Sequence, residues 1–127
     1  MNANQVLIDL LEDNRRRLKR FLGGIADDCL FWQPEPDANN IAITLWHMAR
    51  MFDVFLNLHA LGQAAEAECW FQGGWASQTG YDPRGIGMQG WGMLTGYSQA
   101  EVAALPQLTR EQLLGYLVIG AAHRILA

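Results

Sequence analysis

The stretch Asn40–Gly62, NIAITLWHMARMFDVFLNLHALG, decides the fold, because its apolar residues recur with the period of an α-helix. The pattern predicts a helix from Asn40 to Leu61 that ends at Gly62. Its apolar side chains cover a stripe wide enough to pack against two or three neighbouring helices, as in a helical bundle. The predicted stripe comprises Ile41, Leu45, Met48, Phe52, Phe55, Leu56 and His59, flanked by Thr44, Met51 and Leu58; the polar remainder comprises Arg50, Asp53 and Asn57.

An amphipathic helix is also predicted upstream, from Asn4 to Leu22, and the Gly23-Gly24 pair would end it. Acidic residues lie toward its start and basic residues toward its end, an order that suits the helix dipole. Five of the nine basic residues lie between Arg15 and Arg20. We interpret this cluster as a solvated helix end, with an anion-binding or nucleic-acid patch as the alternative. The expected apolar positions are Leu7, Leu11, Leu18, Phe21 and Leu22, with Asn14 as the polar break.

The region from residue 62 to residue 97 is a long connection that contains nine of the thirteen glycines and several aromatic residues. No regular period persists there, and one short helix is predicted around Ala64–Phe71. We expect the aromatic rings to pack against the helices, because exposed tryptophans would form an adhesive surface. Capping boxes at Ser98–Glu101 and Thr109–Gln112 predict a short helix that stops before Pro106 and a long terminal helix. The terminal helix should place Leu113, Leu117, Ala121 and Ile125 on one face.

These elements predict an all-α fold with three long helices in one domain over residues 1–127. The composition is that of a globular protein, with 50% hydrophobic and 17% charged residues. A net charge of −4 disfavours a nucleic-acid binder that relies on backbone phosphates. The chain has no apolar run long enough for a transmembrane helix and no secretory signal, so we expect a cytoplasmic location. Cys29 and Cys69 fit no zinc motif and are interpreted as free thiols that act as small buried hydrophobic residues.

Three histidines are the candidate metal ligands. His47 and His59 lie twelve residues apart on the predicted helix, a rise of roughly 18 Å, so one metal ion cannot bind both. His59 lies in the middle of the apolar stripe, where we expect a buried neutral imidazole. His47 lies at the margin of the stripe, where a side chain can face a groove between helices. His123 lies on the terminal helix and is interpreted as a partly buried helical residue.

Other short motifs do not define a site. Residues 85–90 match the glycine spacing of a dinucleotide fingerprint, but Asp82-Pro83-Arg84 precedes them instead of a strand, so we interpret the match as chance. The sequence contains no nucleophile elbow and no phosphate-binding loop. Glu68, Asp53 and Trp46 lie near the candidate histidines along the chain, and nothing in the sequence assigns them a catalytic role.

The segment Trp32-Gln33-Pro34, followed by NIAITLWHMAR at Asn40–Arg50, resembles the DinB-like superfamily. Glu68-Cys69-Trp70, the glycine-rich stretch and the region from Ser98 to Leu117 continue the resemblance over essentially the whole chain. The resemblance implies an up-and-down DinB-like helical bundle. Many members of this superfamily are metalloenzymes or thiol-dependent transferases.

The resemblance also implies a divalent metal, nickel or zinc, held by three histidines. His47 matches the ligand from the second helix, and the other two ligands form an HxxxH pair on a later helix. This chain has no HxxxH pair, because the position four residues after His123 is Ala127. This departure leaves three alternatives: a shortened member that lacks the last family helix, a missing helix that another chain supplies, or a protein that uses no metal. The resemblance assigns His47 as the metal ligand, and His123, which matches no family ligand, is a further candidate. Because loss of the last helix would leave the stripe uncovered, we expect a homodimer that rebuilds a bundle.

Two functions from different classes remain open. The first is a metal-dependent hydrolase or thiol S-transferase whose histidine triad is incomplete in this chain. The second is a non-catalytic, oligomeric helical-bundle protein that binds a small molecule through its tryptophan-rich segment. A DNA-binding protein that uses the basic cluster of Arg15–Arg20 is the least favoured alternative, given the acidic net charge.

Overall fold

The computed structural model describes residues 2–117, and within that range the chain is mostly helical and contains no strand, only an isolated bridge between Ile86 and Trp91. The predicted all-α fold is confirmed. The two longest helices among residues 2–117 are the first and the third, and short helices fill most of the chain between the third and the last. The helices are α1 (Ala3–Gly23), α2 (Asp27–Phe31), α3 (Ile41–Phe55), α4 (Cys69–Gln72), α5 (Trp75–Thr79), α6 (Gln99–Ala103) and α7, whose described residues are 110–117.

Helix α1 has the predicted limits but not the predicted buried stripe. It begins where the side chain of Asn2 accepts a hydrogen bond from the backbone of Gln5 at 2.8 Å. Leu22 is buried, whereas Leu7 is 49% exposed and Phe21 is 59% exposed. The expected burial of Leu7 and Phe21 is therefore wrong, because among residues 2–117 the core packs mainly against the C-terminal end of this helix.

Helix α3 begins as predicted, but its α-helical part ends at Phe55, before the predicted end at Leu61. The side chain of Asn40 accepts a hydrogen bond from the backbone N–H of Ile43 at 2.7 Å, which caps the first turn. After Phe55 the helix widens into one π-helical turn, Leu56–Ala60, and Gly62 follows with a φ of +62°.

The buried face of α3 differs from the predicted stripe, although Leu45 of that stripe is buried. Arg50, Asp53 and Asn57, which we placed on the solvent side, are at most 1% exposed. Two members of the predicted stripe, Met48 and Phe52, are 42% and 49% exposed. The prediction failed because hydropathy patterning assigns polar side chains to the solvent side. In this fold, hydrogen bonds from distant parts of the chain offset the cost of burying these three polar side chains.

His59 is also not where the sequence placed it. It is exposed in the π-helical turn, where its ring stacks on Phe55 with 5.5 Å between centroids and meets the edge of Trp91. The prediction of a buried neutral imidazole is wrong, because the stripe on which it was based faces outward at this end of the helix.

The glycine-rich connection packs into the core, as predicted. Trp70 is fully buried, Trp75 is 6% exposed, and α4 overlaps the end of the predicted helical stretch. Cys69 is buried, as expected of a small hydrophobic residue, but Cys29 is exposed. The buried core cluster comprises Leu22, Leu30, Ala42, Leu45, Trp46, Ala49, Cys69, Trp70, Trp75, Leu108, Leu113 and Tyr116.

Both predicted capping boxes are present. Ser98 and Glu101 exchange side-chain-to-backbone hydrogen bonds at the start of α6, and Thr109 and Gln112 do the same at the start of α7. On α7 Leu113 is buried, as expected, whereas Ala121, His123 and Ile125 lie outside the described residues. In residues 2–117 we find no helix that has both the length and the apolar character needed to cross a membrane.

Candidate functional site

A buried charge cluster joins α3 to the glycine-rich connection. Arg50 is fully buried, and its Nε donates to the carbonyl oxygen of Gly92 at 2.8 Å, while Nη2 donates to the carbonyl oxygen of Trp91 at 2.7 Å. Its Nη1 lies 2.9 Å from Oε1 of Glu68 and 3.6 Å from Oδ2 of Asp53. One guanidinium therefore holds two distant parts of the connection against the helix, with its donors in the planar geometry that arginine favours.

Asp53 completes this cluster from the next turn of the helix. Its carboxylate accepts hydrogen bonds from the backbone N–H of Cys69 at 2.7 Å and of Trp70 at 2.9 Å, which are the first two residues of α4. The hydroxyl of Tyr116 on α7 donates to the same carboxylate at 2.7 Å. Asp53 therefore links α3, α4 and α7 through charge-assisted hydrogen bonds.

Burial shifts the acidity of the groups around this cluster. Burial raises the pKa of the Glu68 carboxyl, and the adjacent Arg50 guanidinium opposes that shift. Burial also raises the pKa of the Tyr116 hydroxyl well above 10, the ordinary value for tyrosine. The pKa values of Tyr81 and Tyr97, whose hydroxyls lie 3.1 Å apart, are raised for the same main reason.

These shifts predict how stability depends on alkaline pH. A tyrosine whose pKa is higher in the folded chain than in the unfolded chain stabilises the fold below the unfolded pKa of about 10, and this stabilisation is lost as the pH rises further. We expect the free energy of unfolding to fall above about pH 10. We also expect the ultraviolet absorbance of tyrosinate to appear together with unfolding, as followed by circular dichroism. Tyrosinate formation in a chain that remains folded near pH 10 would contradict the prediction.

A cleft lies beside this cluster, between the N-terminal half of α3 and the segment that leads into α7. Its volume is about 760 Å³, within the range of small-molecule pockets. Its wall combines apolar side chains with uncharged polar groups, and among the described lining residues Asp37 is the one carboxylate. The lining residues used below are Ile43, Trp46, His47, Leu94, Tyr97 and Leu105.

His47 lines the cleft and is held in one orientation. Its Nδ1 forms a hydrogen bond with the carbonyl oxygen of Met93. Because a carbonyl oxygen can only accept, Nδ1 carries the hydrogen of this bond, and in the neutral form of the ring the lone pair would lie on Nε2. The placement that the sequence predicted for His47, in a groove between helices, is confirmed.

Two further features mark the wall of the cleft. Leu94, which follows the carbonyl partner of His47, has a φ of +81°, a conformation that costs a non-glycine residue about 1–3 kcal/mol. Trp46 is 3% exposed, and its buried Nε1 has no hydrogen-bond partner among residues 2–117. Its ring lies 6.1 Å from Trp70 and 6.4 Å from Tyr97, between centroids. Strained backbone and an unpaired buried donor at one location are features that functional sites often retain.

The described residues of the cleft do not by themselves supply three protein ligands for a metal ion. Within residues 2–117 no group of three histidine, cysteine, aspartate or glutamate side chains is arranged to bind an ion. The described lining contributes one imidazole, from His47, and one carboxylate, from Asp37. It contributes no serine or cysteine, so the cleft also lacks those covalent nucleophiles.

The other residues singled out from the sequence lie apart from the cleft. Trp70 and Trp75 are core residues and do not line it. The basic cluster on α1 is largely solvated, and Arg17 pairs with Asp13 at 2.9 Å. Sequence analysis missed the role of Arg50. The spacing of Arg50 and Asp53, three residues apart on a largely apolar helix, could have indicated an ion pair on one face.

A family model described as the DinB superfamily matches residues 10–122. The match covers nearly the whole chain and confirms the family that the sequence resembled. A search of the curated proteins found no match to this chain.

Proposed function

The chain belongs to the DinB superfamily, and from this membership and the cleft geometry we propose that it binds a small organic molecule beside His47. The observation that carries the proposal is the fixed imidazole, whose Nδ1 is engaged by Met93 and whose Nε2 can accept a hydrogen bond from a ligand. A rigid acceptor in a cleft of this size orients a ligand without the cost of ordering a mobile side chain.

The lining indicates the chemical class of the ligand. Ile43, Leu94 and Leu105 provide apolar surface for a hydrocarbon or aromatic body. Amide side chains at the rim can bind uncharged polar groups. Because the described lining has no lysine or arginine, a neutral molecule with one hydrogen-bond donor suits the cleft better than an anion does.

Phenol is a direct probe of this proposal, because it has an aromatic body and a single donor. We expect a phenol titration, followed by backbone amide resonances in NMR spectra, to shift signals from residues that line the cleft. Replacing His47 with alanine should weaken binding about tenfold, which is the value of one lost hydrogen bond.

The exposed His59 provides the matched control, because its ring lies among Phe55 and Trp91 and does not line the cleft. A His59→Ala variant should bind phenol as the parent does. Equal weakening in both variants, or shifts confined to residues outside the cleft, would contradict a site at His47.

A metal-dependent hydrolase or thiol S-transferase, with His47 as a ligand to nickel or zinc, is the second candidate. The Met93 carbonyl oxygen favours it, because a metal-binding histidine usually donates its other ring N–H to such an oxygen. The donor set of residues 2–117 does not favour it, since one imidazole cannot fill a three-ligand site. One bound metal equivalent in purified protein, lost in His47→Ala and retained in His59→Ala, would replace the first candidate with this one.

A further inference from the structure

Three consecutive backbone carbonyls of the glycine-rich connection are hydrogen-bonded to side chains of one helix. The carbonyl oxygens of Trp91 and Gly92 accept from the guanidinium of Arg50, at 2.7 Å and 2.8 Å. The carbonyl oxygen of Met93, the next residue, accepts from Nδ1 of His47. His47 and Arg50 lie three residues apart, on the same side of α3. One imidazole and one guanidinium therefore attach this short segment to the helix.

The rest of the connection also restricts the segment. The backbone N–H of Gly92 donates to the carbonyl oxygen of Ile86 at 3.0 Å, and Met93 is 2% exposed. Leu94, which follows, has the positive φ described above, and such a conformation persists only where surrounding contacts impose it. The carbonyl group of Met93 is therefore held in one direction.

Arg50 is suited to fix that direction, because neither its charge nor its shape varies. A guanidinium stays protonated throughout the pH range in which proteins fold, and its donors lie in one plane. Arg50 is fully buried, and its remaining donor group, Nη1, is held by Glu68 at 2.9 Å. Its contacts with two adjacent carbonyls therefore orient the peptide that follows them, whose oxygen accepts the hydrogen of His47.

We propose that Arg50 is a positioning residue for His47, because it directs the carbonyl of Met93 toward Nδ1 and so leaves Nε2 as an acceptor. In a neutral imidazole, the hydrogen bond made by one nitrogen decides which of the two carries the hydrogen. Arg50 thereby makes the cleft select ligands that donate a hydrogen bond over ligands that only accept one. This selectivity rests on the proposed binding at His47, whereas the effect of Arg50 on the His47 tautomer does not.

The first test follows the tautomer of His47 in an Arg50→Lys variant. Nitrogen NMR chemical shifts of the imidazole report it at a pH above the ordinary histidine pKa of about 6.5. Lysine keeps the positive charge beside Glu68, but its single ammonium lacks the planar fork that reaches both carbonyls. We expect the population with the hydrogen on Nε2, relative to that with it on Nδ1, to rise about tenfold, the equivalent of one lost hydrogen bond.

Glu68→Gln is the matched control for this test. It removes a charge from the same buried cluster but leaves both carbonyl contacts of Arg50 in place. The tautomer of His47 should therefore stay unchanged in Glu68→Gln, even where that variant is less stable than the parent. An unchanged tautomer in folded Arg50→Lys, or the same change in both variants, would overturn the proposal.

A reciprocal test does not depend on whether Arg50→Lys folds. If Arg50 stabilises the contact between His47 and Met93, that contact must stabilise the hydrogen bonds of Arg50 by the same amount. We expect His47→Ala to speed hydrogen exchange of the Arg50 Nε–H about tenfold, as followed by NMR. Met48→Ala, at an exposed position on the same helix, should leave that exchange rate unchanged. Unchanged exchange in His47→Ala would overturn the proposal.

Ligand preference tests the selectivity. Phenol donates a hydrogen bond, whereas benzonitrile has a similar aromatic body and can only accept one. The parent should bind phenol more tightly than benzonitrile, and Arg50→Lys should reduce that ratio about tenfold while Glu68→Gln retains it. An unchanged ratio in Arg50→Lys would contradict the selectivity. A parent that binds neither molecule would refute the proposed site, and the tautomer and exchange measurements would still decide the role of Arg50.

Discussion

Replacement of Asp53 with alanine should lower the free energy of unfolding by about 3–5 kcal/mol, the range for removing one member of a buried ion pair. The carboxylate accepts hydrogen bonds from Cys69, Trp70 and Tyr116, so its loss leaves buried donors unpaired in two other helices. It also leaves Arg50 buried with one carboxylate partner, Glu68.

Chemical denaturation followed by tryptophan fluorescence measures this loss. Asp82→Ala is the matched control, because Asp82 also accepts a backbone N–H, from Arg84 at 3.0 Å, but is exposed. We expect that control to cost less than about 1 kcal/mol. Similar losses in the two variants would contradict the role assigned to the buried cluster.

Replacement of Gly92 with alanine should also destabilise the protein by about 3 kcal/mol or more. Such a loss is at the high end for a single substitution and is typical of backbone strain combined with a steric clash. Gly92 has a φ of +67°, and a Cβ atom there would lie 2.0 Å from the carbonyl oxygen of Pro83. That carbonyl is backbone and cannot rotate away as a side chain could. The carbonyl of Gly92 itself accepts a hydrogen bond from Arg50, so a shift of this residue would also disturb the buried cluster.

Gly85→Ala separates the two causes in this prediction. Gly85 has a φ of +86°, but a Cβ atom there would meet no neighbour within 4 Å. We expect this control to lose only the 1–2 kcal/mol that a left-handed conformation costs an ordinary residue. Thermal and denaturant unfolding measure the loss of stability in both variants. An equal loss would mean that the positive φ, and not the close approach of the Pro83 carbonyl, is what requires glycine at position 92.

Several features were accessible to sequence analysis because short-range chemistry specifies them. The start of α3 follows from Asn40, which caps it, the end of α1 follows from its glycine pair, and the starts of α6 and α7 follow from their capping boxes. His47 does line the cleft, although the stripe beside which the sequence placed it is only partly buried.

The sequence by itself determined the fold class, the starts of the capped helices and the resemblance to the family, since helical period and capping act over a few residues. The tertiary structure alone decided which side of α3 is buried. Arg50 and Asp53 can leave water only when Glu68, Gly92 and Tyr116 bring their hydrogen-bonding groups to them. Those partners lie 15 to 63 residues from Asp53 along the chain. A local sequence pattern therefore cannot show that hydrogen bonds offset the cost of burying Arg50 and Asp53.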